Sequence, residues 1–238
     1  MELRDRLALS LDVDDLVIAQ RLARQLKPWF GVAKVGLELF AAAGPEAVTT
    51  MMDEGYDVFL DLKLHDIPTT VRKAARVIGA FGARYLTLHA HGGPVMLRHG
   101  VDGLRDGAEA AGLPAPIALA VTILTSDADA PPHILGRRVA AAVEGGCGGV
   151  ICAAADIHEV KELAPRMLAV VPGIRLAHHD PHDQARVSTP KSALAAGADL
   201  LVVGRAVTAA PDPAKAAAEL VASIQPPDQP PGDDSTPD

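Results

Sequence analysis

The chain is poor in cysteine, with Cys147 and Cys152 the only two in 238 residues. Their spacing matches no usual zinc or redox motif, and both lie in or beside an apolar, strand-like run. That argues against a disulfide framework or a thiolate metal centre and leaves two structural thiols of a reducing cytosol. Positive charge is also in short supply: 22 Lys and Arg face 30 Asp and Glu, for a net charge of −8. Nucleic acid or an anionic membrane as the main partner would need a basic surface, so neither is expected, and an anionic substrate would have to find a local basic pocket. No apolar run approaches the length of a membrane span. The opening Met1-Glu2-Leu3-Arg4-Asp5-Arg6 alternates charges where a secretory signal would need an apolar core, so a cytoplasmic location is expected.

What is present is a composition, 49% hydrophobic and 22% charged, that suits a soluble globular fold of this length. Short apolar runs rich in β-branched residues recur near 7–11, 31–35, 58–62, 85–89, 117–121, 149–152, 168–171 and 200–203. Alanine-rich stretches with helical spacing separate them, near 14–26, 45–54, 70–81, 94–111, 132–144, 156–163, 190–196 and 212–224. Regular alternation of this kind means parallel strands joined by right-handed crossovers. Eight repeats predict an α/β fold of the (β/α)8 TIM-barrel type over residues 1–225, with a doubly wound open sheet as the alternative. Residues 226–238 are acidic, proline-rich and almost without apolar side chains, and are expected to form a disordered tail.

In a barrel, functional groups collect at the C-terminal ends of the strands. The predicted strands deliver Asp12, Lys34 with Gly36, Asp61 with Lys63, His89 with His91, Thr122 with Thr125, Ala153, Pro172-Gly173 with Arg175, and Gly204-Arg205. The densest group is Asp61-Leu62-Lys63-Leu64-His65-Asp66-Ile67-Pro68, where an apolar strand runs out into a loop. Side chains alternate along a strand, so Asp61 and Lys63 point the same way, and Pro68 must end any ladder just beyond Asp66. Neighbouring opposite charges keep one another ionised in a partly dry cavity, which leaves Lys63 a cation able to act as an acid. Across the mouth, Arg175, Gln184 and Arg205 could grip a phosphate after strands seven and eight, with Gly204 allowing close backbone approach. The loop 177–183 is rich in histidine and aspartate but its spacing gives no defined metal geometry, and it reads as a flap over the phosphate. His65, His89 and His91 read as structural.

The run from Asp61 to Val71 resembles the signature of the orotidine 5′-phosphate decarboxylase family. The resemblance extends over Lys34-Val35-Gly36-Leu37-Glu38-Leu39-Phe40, His89-Ala90-His91-Gly92-Gly93, Val121-Thr122-Ile123-Leu124-Thr125-Ser126, Pro172-Gly173-Ile174-Arg175, Asp183-Gln184 with Thr189-Pro190, and Val202-Val203-Gly204-Arg205. Only the tail lies outside it. Three positions depart from the commonest pattern: Leu64 stands for Phe, Thr69 for Asn and Val171 for Thr. Thr69 is still able to cap the following helix.

The resemblance implies a cofactor-free and metal-free decarboxylation of orotidine 5′-phosphate to UMP. In that reading Lys63 protonates C6, Asp61 sits against the departing carboxylate, and Lys34 completes the charge array. Asp66, Ile67 and Thr70 are implied to reach the neighbouring site of a homodimer with shared active sites. Asp12 would bind ribose hydroxyls, Thr125 the pyrimidine edge, and Arg175, Gln184, Gly204 and Arg205 the phosphate. Two other readings stay open: a metal-assisted sugar-phosphate aldolase or decarboxylase of the hexulose-phosphate synthase type, and a non-catalytic phosphate-binding barrel. The Asp-Ile-Pro extension and the Leu-Thr-Ser segment favour the decarboxylase over the former; retention of Lys34, Asp61, Lys63 and Asp66 argues against the latter.

Overall fold

The computed structural model describes residues 2–124, 127, 130–131, 133–175 and 188–224. Thr125, Gln184, the loop 177–183 and the tail 226–238 lie outside these residues. Eight parallel strands, β1 (Leu7–Ser10), β2 (Val32–Gly36), β3 (Asp57–Leu64), β4 (Tyr85–His89), β5 (Ile117–Val121), β6 (Gly149–Ile151), β7 (Leu168–Val171) and β8 (Leu200–Val203), close in sequence order into a barrel. The open-sheet alternative is thereby set aside. Around the barrel run α1 (Leu16–Leu26), α2 (Leu37–Ala43), α3 (Glu46–Asp53), α4 (Pro68–Gly79), α5 (Gly93–Ala111), α6 (His133–Glu144), α7 (Ile157–Leu163), α8 (Pro190–Ala195), α9 (Arg205–Thr208) and α10 (Pro213–Ile224). The short helices α2 and α9 were not anticipated from periodicity. Among the described residues no helix is long and apolar enough to cross a membrane.

Two apolar layers follow from strand alternation. Ala8, Val32, Phe59, Tyr85, Leu119, Val170, Leu200 and Val202 fill the barrel interior. Their sequence neighbours, such as Leu7, Leu9, Ala33, Val58, Leu60, Leu86 and Leu88, face outward into the larger core beneath the helices. Because side chains repeat every second residue, the positions two residues beyond the interior set also point inward, one level nearer the C-terminal mouth. Beyond the set itself, those positions are Ser10, Lys34, Asp61, Thr87, Val121, Pro172 and Gly204. Polar groups therefore start where the apolar plug stops.

The helices sit against this frame with ordinary local logic. In α1, the Asp15 side chain accepts a hydrogen bond from Ile18 N at 2.9 Å, and Ala19, Ala23 and Leu26 form its buried stripe. The α4–α5 contact is much closer. A Cβ on Gly107 would lie 1.9 Å from the Arg76 carbonyl oxygen, one on Gly103 2.3 Å from that of Arg72, and one on Gly79 2.3 Å from that of Leu104. Glycine at these places lets the two backbones touch, and Arg72 donates to Asp106 across the seam at 2.8 Å. This contact fixes α4, and with it the loop 65–67 that leads into the helix.

Candidate active site

Asp12, Lys34, Asp61 and Lys63 form an unbroken chain of alternating charge along the ends of β1, β2 and β3. Lys34 Nζ lies 3.0 Å from Asp12 Oδ1 and 3.7 Å from Asp61 Oδ2, and Lys63 Nζ lies 2.8 Å from the same Asp61 oxygen. Parallel registers Ser10↔Lys34 and Gly36↔Asp61 bring these ends level. Lys34 and Asp61 are almost buried, with side chains 10% and 14% exposed, whereas Lys63 opens into the cavity at 33%. Burial pushes the Asp12 carboxyl up, but the Lys34 ammonium, hydrogen bonds from Ser10 and Lys34, and the more distant Lys63 outweigh it and hold Asp12 below the usual carboxylate range. The Ser10 hydroxyl donates to Asp12 Oδ2 at 2.7 Å.

Lys63 reaches this cluster by a route different from the one its strand position suggests. The expectation placed it in a loop beyond residue 62, yet β3 continues to Leu64. Leu60 pairs with Leu86 and Leu64 with Leu88, so the register against β4 breaks between them. Within that irregularity Lys63 adopts φ +50°, the only positive φ at a non-glycine residue among those described. Thr87, fully buried on β4, spans the break. Its hydroxyl accepts from Lys63 N at 2.8 Å and donates to Asp61 Oδ1 at 2.9 Å. Neither Thr87 nor Ser10 was singled out from sequence. The available signal was a lone hydroxyl residue at an inward position of an otherwise apolar strand.

The charge array forms one wall of a cavity of about 230 Å³, and the opposite wall is made by Pro172, Gly173, Arg175, Gly204 and Arg205. Arg175 is 7% exposed; its backbone N donates to Ser188 O at 3.0 Å, and its guanidinium contacts the Ile174 carbonyl oxygen at 3.3 Å. Gly173 turns the chain after β7 at φ +77°. Directly after β8, Gly204 is the N-cap of α9, so the first backbone N–H groups of this short helix begin at the cavity rim beside Arg205. Phe59, Val121, Ile123, Leu124, Ile151 and Val202 supply an apolar floor between the two walls. A planar apolar ring with an anion on each side would find complementary surfaces here.

Three expected site residues stay outside this cavity in their own chain. Asp66 is exposed, and its Oδ1 accepts from Ile67 N at 2.6 Å. Ile67 is 66% exposed and Thr70 is exposed as well. The expectation that Thr69 caps α4 is corrected: Pro68 opens the helix, Ile67 holds the N-cap position, and no side chain caps it. Thr122 is also turned away, with its hydroxyl donating to Ile151 O at 2.7 Å.

His89 and His91 form the structural turn expected of them. His89 Nδ1 accepts from His91 N at 3.2 Å and so caps the 3₁₀ turn Ala90–Gly92, and the rings of His65 and His89 lie 5.5 Å apart. Burial, then the Arg138 guanidinium and the neighbouring imidazoles, lower the His89 pKa to about 4. Cys147 and Cys152 are buried free thiols, each pushed up to about 12 by burial. Among the described residues no three His, Cys, Asp or Glu side chains gather into a group that could hold a metal ion.

Opposed charges along one wall, basic groups and a helix N-terminus on the other, and the C-terminal mouth of a closed parallel barrel together define a (β/α)8-barrel enzyme for a small anionic substrate. Residues 5–220 match the model of the orotidine 5′-phosphate decarboxylase / HUMPS family, and the chain belongs to that family. It is 42% identical over 237 residues to the orotidine 5′-phosphate decarboxylase of Moorella thermoacetica, covering 94% of each chain. With the enzyme of the same name from Anaeromyxobacter dehalogenans it shares 45% over 235 residues, covering 94% of this chain and 100% of the relative. The crystal structure of orotidine 5′-phosphate decarboxylase from Lactobacillus acidophilus superposes with a TM-score of 0.78 at 33% identity, over 93% of this chain and 100% of that one.

Proposed function

We propose that the chain converts orotidine 5′-phosphate to UMP and CO2, the last step of de novo pyrimidine biosynthesis, by direct decarboxylation at a preformed charge array. The observation that supports this most is the sequence Asp12, Lys34, Asp61, Lys63 held at 3.0, 3.7 and 2.8 Å along one wall. The C6–carboxylate bond breaks with its electron pair left on C6, and CO2 departs. Lys63 then gives one ammonium proton to that pair to form the C6–H bond, and the neutral amine recovers a proton from solvent. The pyrimidine delocalises the developing negative charge poorly, so a cation fixed beside C6 before the substrate arrives lowers the barrier without reorganisation at the moment of reaction.

In this reading Asp61 lies against the departing carboxylate and orients Lys63, while Lys34 links Asp61 to Asp12 and holds the array together. Asp12 and Lys34 take the ribose hydroxyls. Arg175, Gly204 and Arg205 take the phosphate together with Gln184, and Thr125 takes the pyrimidine edge. Binding energy from the distant phosphate raises turnover as well as affinity when it helps to close the site. Asp66, Ile67 and Thr70, exposed in their own chain, would complete the site of a partner subunit in a homodimer.

The direct test is loss of orotidine 5′-phosphate absorbance on mixing with chelator-treated protein. Undiminished turnover supports the decarboxylase; no loss of absorbance either with or without a divalent metal, together with metal-dependent turnover of a sugar phosphate, supports the metal-assisted sugar-phosphate reading. Mixed dimers test the shared site. Lys63→Ala and Asp66→Asn should each be poor catalysts alone, yet hybrids should regain activity in the one site that receives intact Lys63 from one chain and intact Asp66 from the other. Activity that stays at the parental mean, with hybrids shown to form, places Asp66 in its own chain's site.

A further inference from the structure

We propose that Thr87 is a positioning residue that sets Asp61 and Lys63 relative to one another, a role that rests on the decarboxylase reading for its catalytic consequence but not for its geometry. Thr87 does not line the cavity and is 0% exposed. It stands on β4 opposite the place where β3 loses register, between the paired positions Leu60↔Leu86 and Leu64↔Leu88.

The polarity of its two hydrogen bonds is fixed by chemistry. The Lys63 amide can only donate, so the Thr87 hydroxyl must accept there, and its single proton is left for Asp61 Oδ1. One hydroxyl thus ties the backbone of one charged residue to the carboxylate of the other. With Oδ1 held in this way, Oδ2 is the oxygen turned toward both ammonium groups, at 2.8 Å from Lys63 and 3.7 Å from Lys34. The same bond holds Lys63 at φ +50°, a conformation that a lysine adopts at a cost and that ordinary strand pairing would not maintain. Valine fills the same space without the hydroxyl, and would leave the part-buried Lys63 N–H and Asp61 Oδ1 without this partner.

The test compares Thr87→Val and Thr87→Ser in the full chain by three readouts: turnover of orotidine 5′-phosphate, equilibrium binding of UMP, and hydrogen exchange at the Lys63 amide. Thr87→Val should lower kcat by about tenfold to a hundredfold while KM and the UMP Kd change by less than about threefold, because the phosphate wall is untouched. Thr87→Ser should restore kcat to within about threefold of wild type, and Lys63 amide exchange should accelerate at least about tenfold in the valine variant alone. If Thr87→Val does not fold, Thr87→Ala is read in its place. Unchanged kcat and exchange in the valine variant overturn the proposal. Equal losses in kcat and UMP binding that serine does not repair also overturn it, pointing to packing. A wild-type protein without decarboxylase activity overturns the functional reading alone, since the exchange experiment still decides whether Thr87 holds Lys63.

Discussion

Gly36→Ala should damage catalysis while sparing the fold, and the reason is one missing carbon. Gly36 ends β2 with φ −91° and ψ −175°, values open to alanine, so no backbone strain is involved. A Cβ built there would lie 3.0 Å from Lys34 Nζ and 3.1 Å from Asp12 Oδ1, with no other contact within 4 Å. Both contacts are tighter than a carbon beside nitrogen or oxygen ordinarily makes, so the ammonium must retreat by a few tenths of an ångström, and the flexible lysine stem lets it do so. Lys34 then no longer spans Asp12 and Asp61 at its present distances.

A displacement of about 1 Å in a reacting constellation costs on the order of a hundredfold in rate, so a shift of a few tenths should lower kcat/KM for orotidine 5′-phosphate by about threefold to tenfold. Stability should barely move. Alanine stabilises by about 0.4–1 kcal/mol through the unfolded chain, which offsets much of the loss, on the order of 1 kcal/mol, from loosening the Lys34–Asp12 pair, whose ammonium is almost buried but whose carboxylate is 53% exposed. Turnover from the decline in substrate absorbance, and a thermal melt by circular dichroism, measure the two effects separately. Wild-type turnover would show that the position of Lys34 has slack and refute the reasoning. So would a Tm lowered by more than about 8 °C, a loss of around 2–4 kcal/mol, since backbone rather than a lysine tip would then be yielding.

Lys63→Ala should abolish nearly all turnover while the protein still binds UMP with a normal melt, because a partly exposed cation is lost and no core packing; substantial residual turnover would remove Lys63 as the proton donor. His89, with its pKa lowered to about 4, is neutral in the native state at neutral pH. The unfolded chain takes up its proton near pH 6.5, so stability is full above that value and declines as pH falls toward 4. After allowance for solvent screening the loss is about 1–2 kcal/mol, and urea melts of His89→Gln should show a flatter dependence over that window. Gly107→Ala drives a Cβ to 1.9 Å from the Arg76 carbonyl oxygen, and should cost about 3 kcal/mol, or roughly 6–12 °C in Tm; a change below about 2 °C would mean that α4 and α5 separate freely.

The strands were legible because buried parallel strands read as short apolar runs, and the alternation at Ala8, Ser10 and Asp12, or at Val32, Lys34 and Gly36, carries the interior column straight into the site. Their order around a closed barrel then sets Asp12, Lys34 and Asp61 side by side without further information. The helices α2 and α9 escaped because seven and four residues are too few for a helical period to emerge, and both start at the strand ends with no intervening loop. The β3 irregularity escaped for a different reason. A positive φ is normally announced by glycine, and at residue 63 the position is taken by the lysine that the site needs. Strict alternation put Asp61 and Lys63 on one face, which matched the outcome, but the structure achieves it by breaking the register and holding the break with Thr87. A threonine within an apolar strand reads as β propensity alone. Its second role becomes visible only when β4 is laid against β3, because the hydroxyl acts across the sheet on residues 24 and 26 positions away in the chain. Local pattern thus locates the charges of this site, and only the tertiary pairing reveals what aims them.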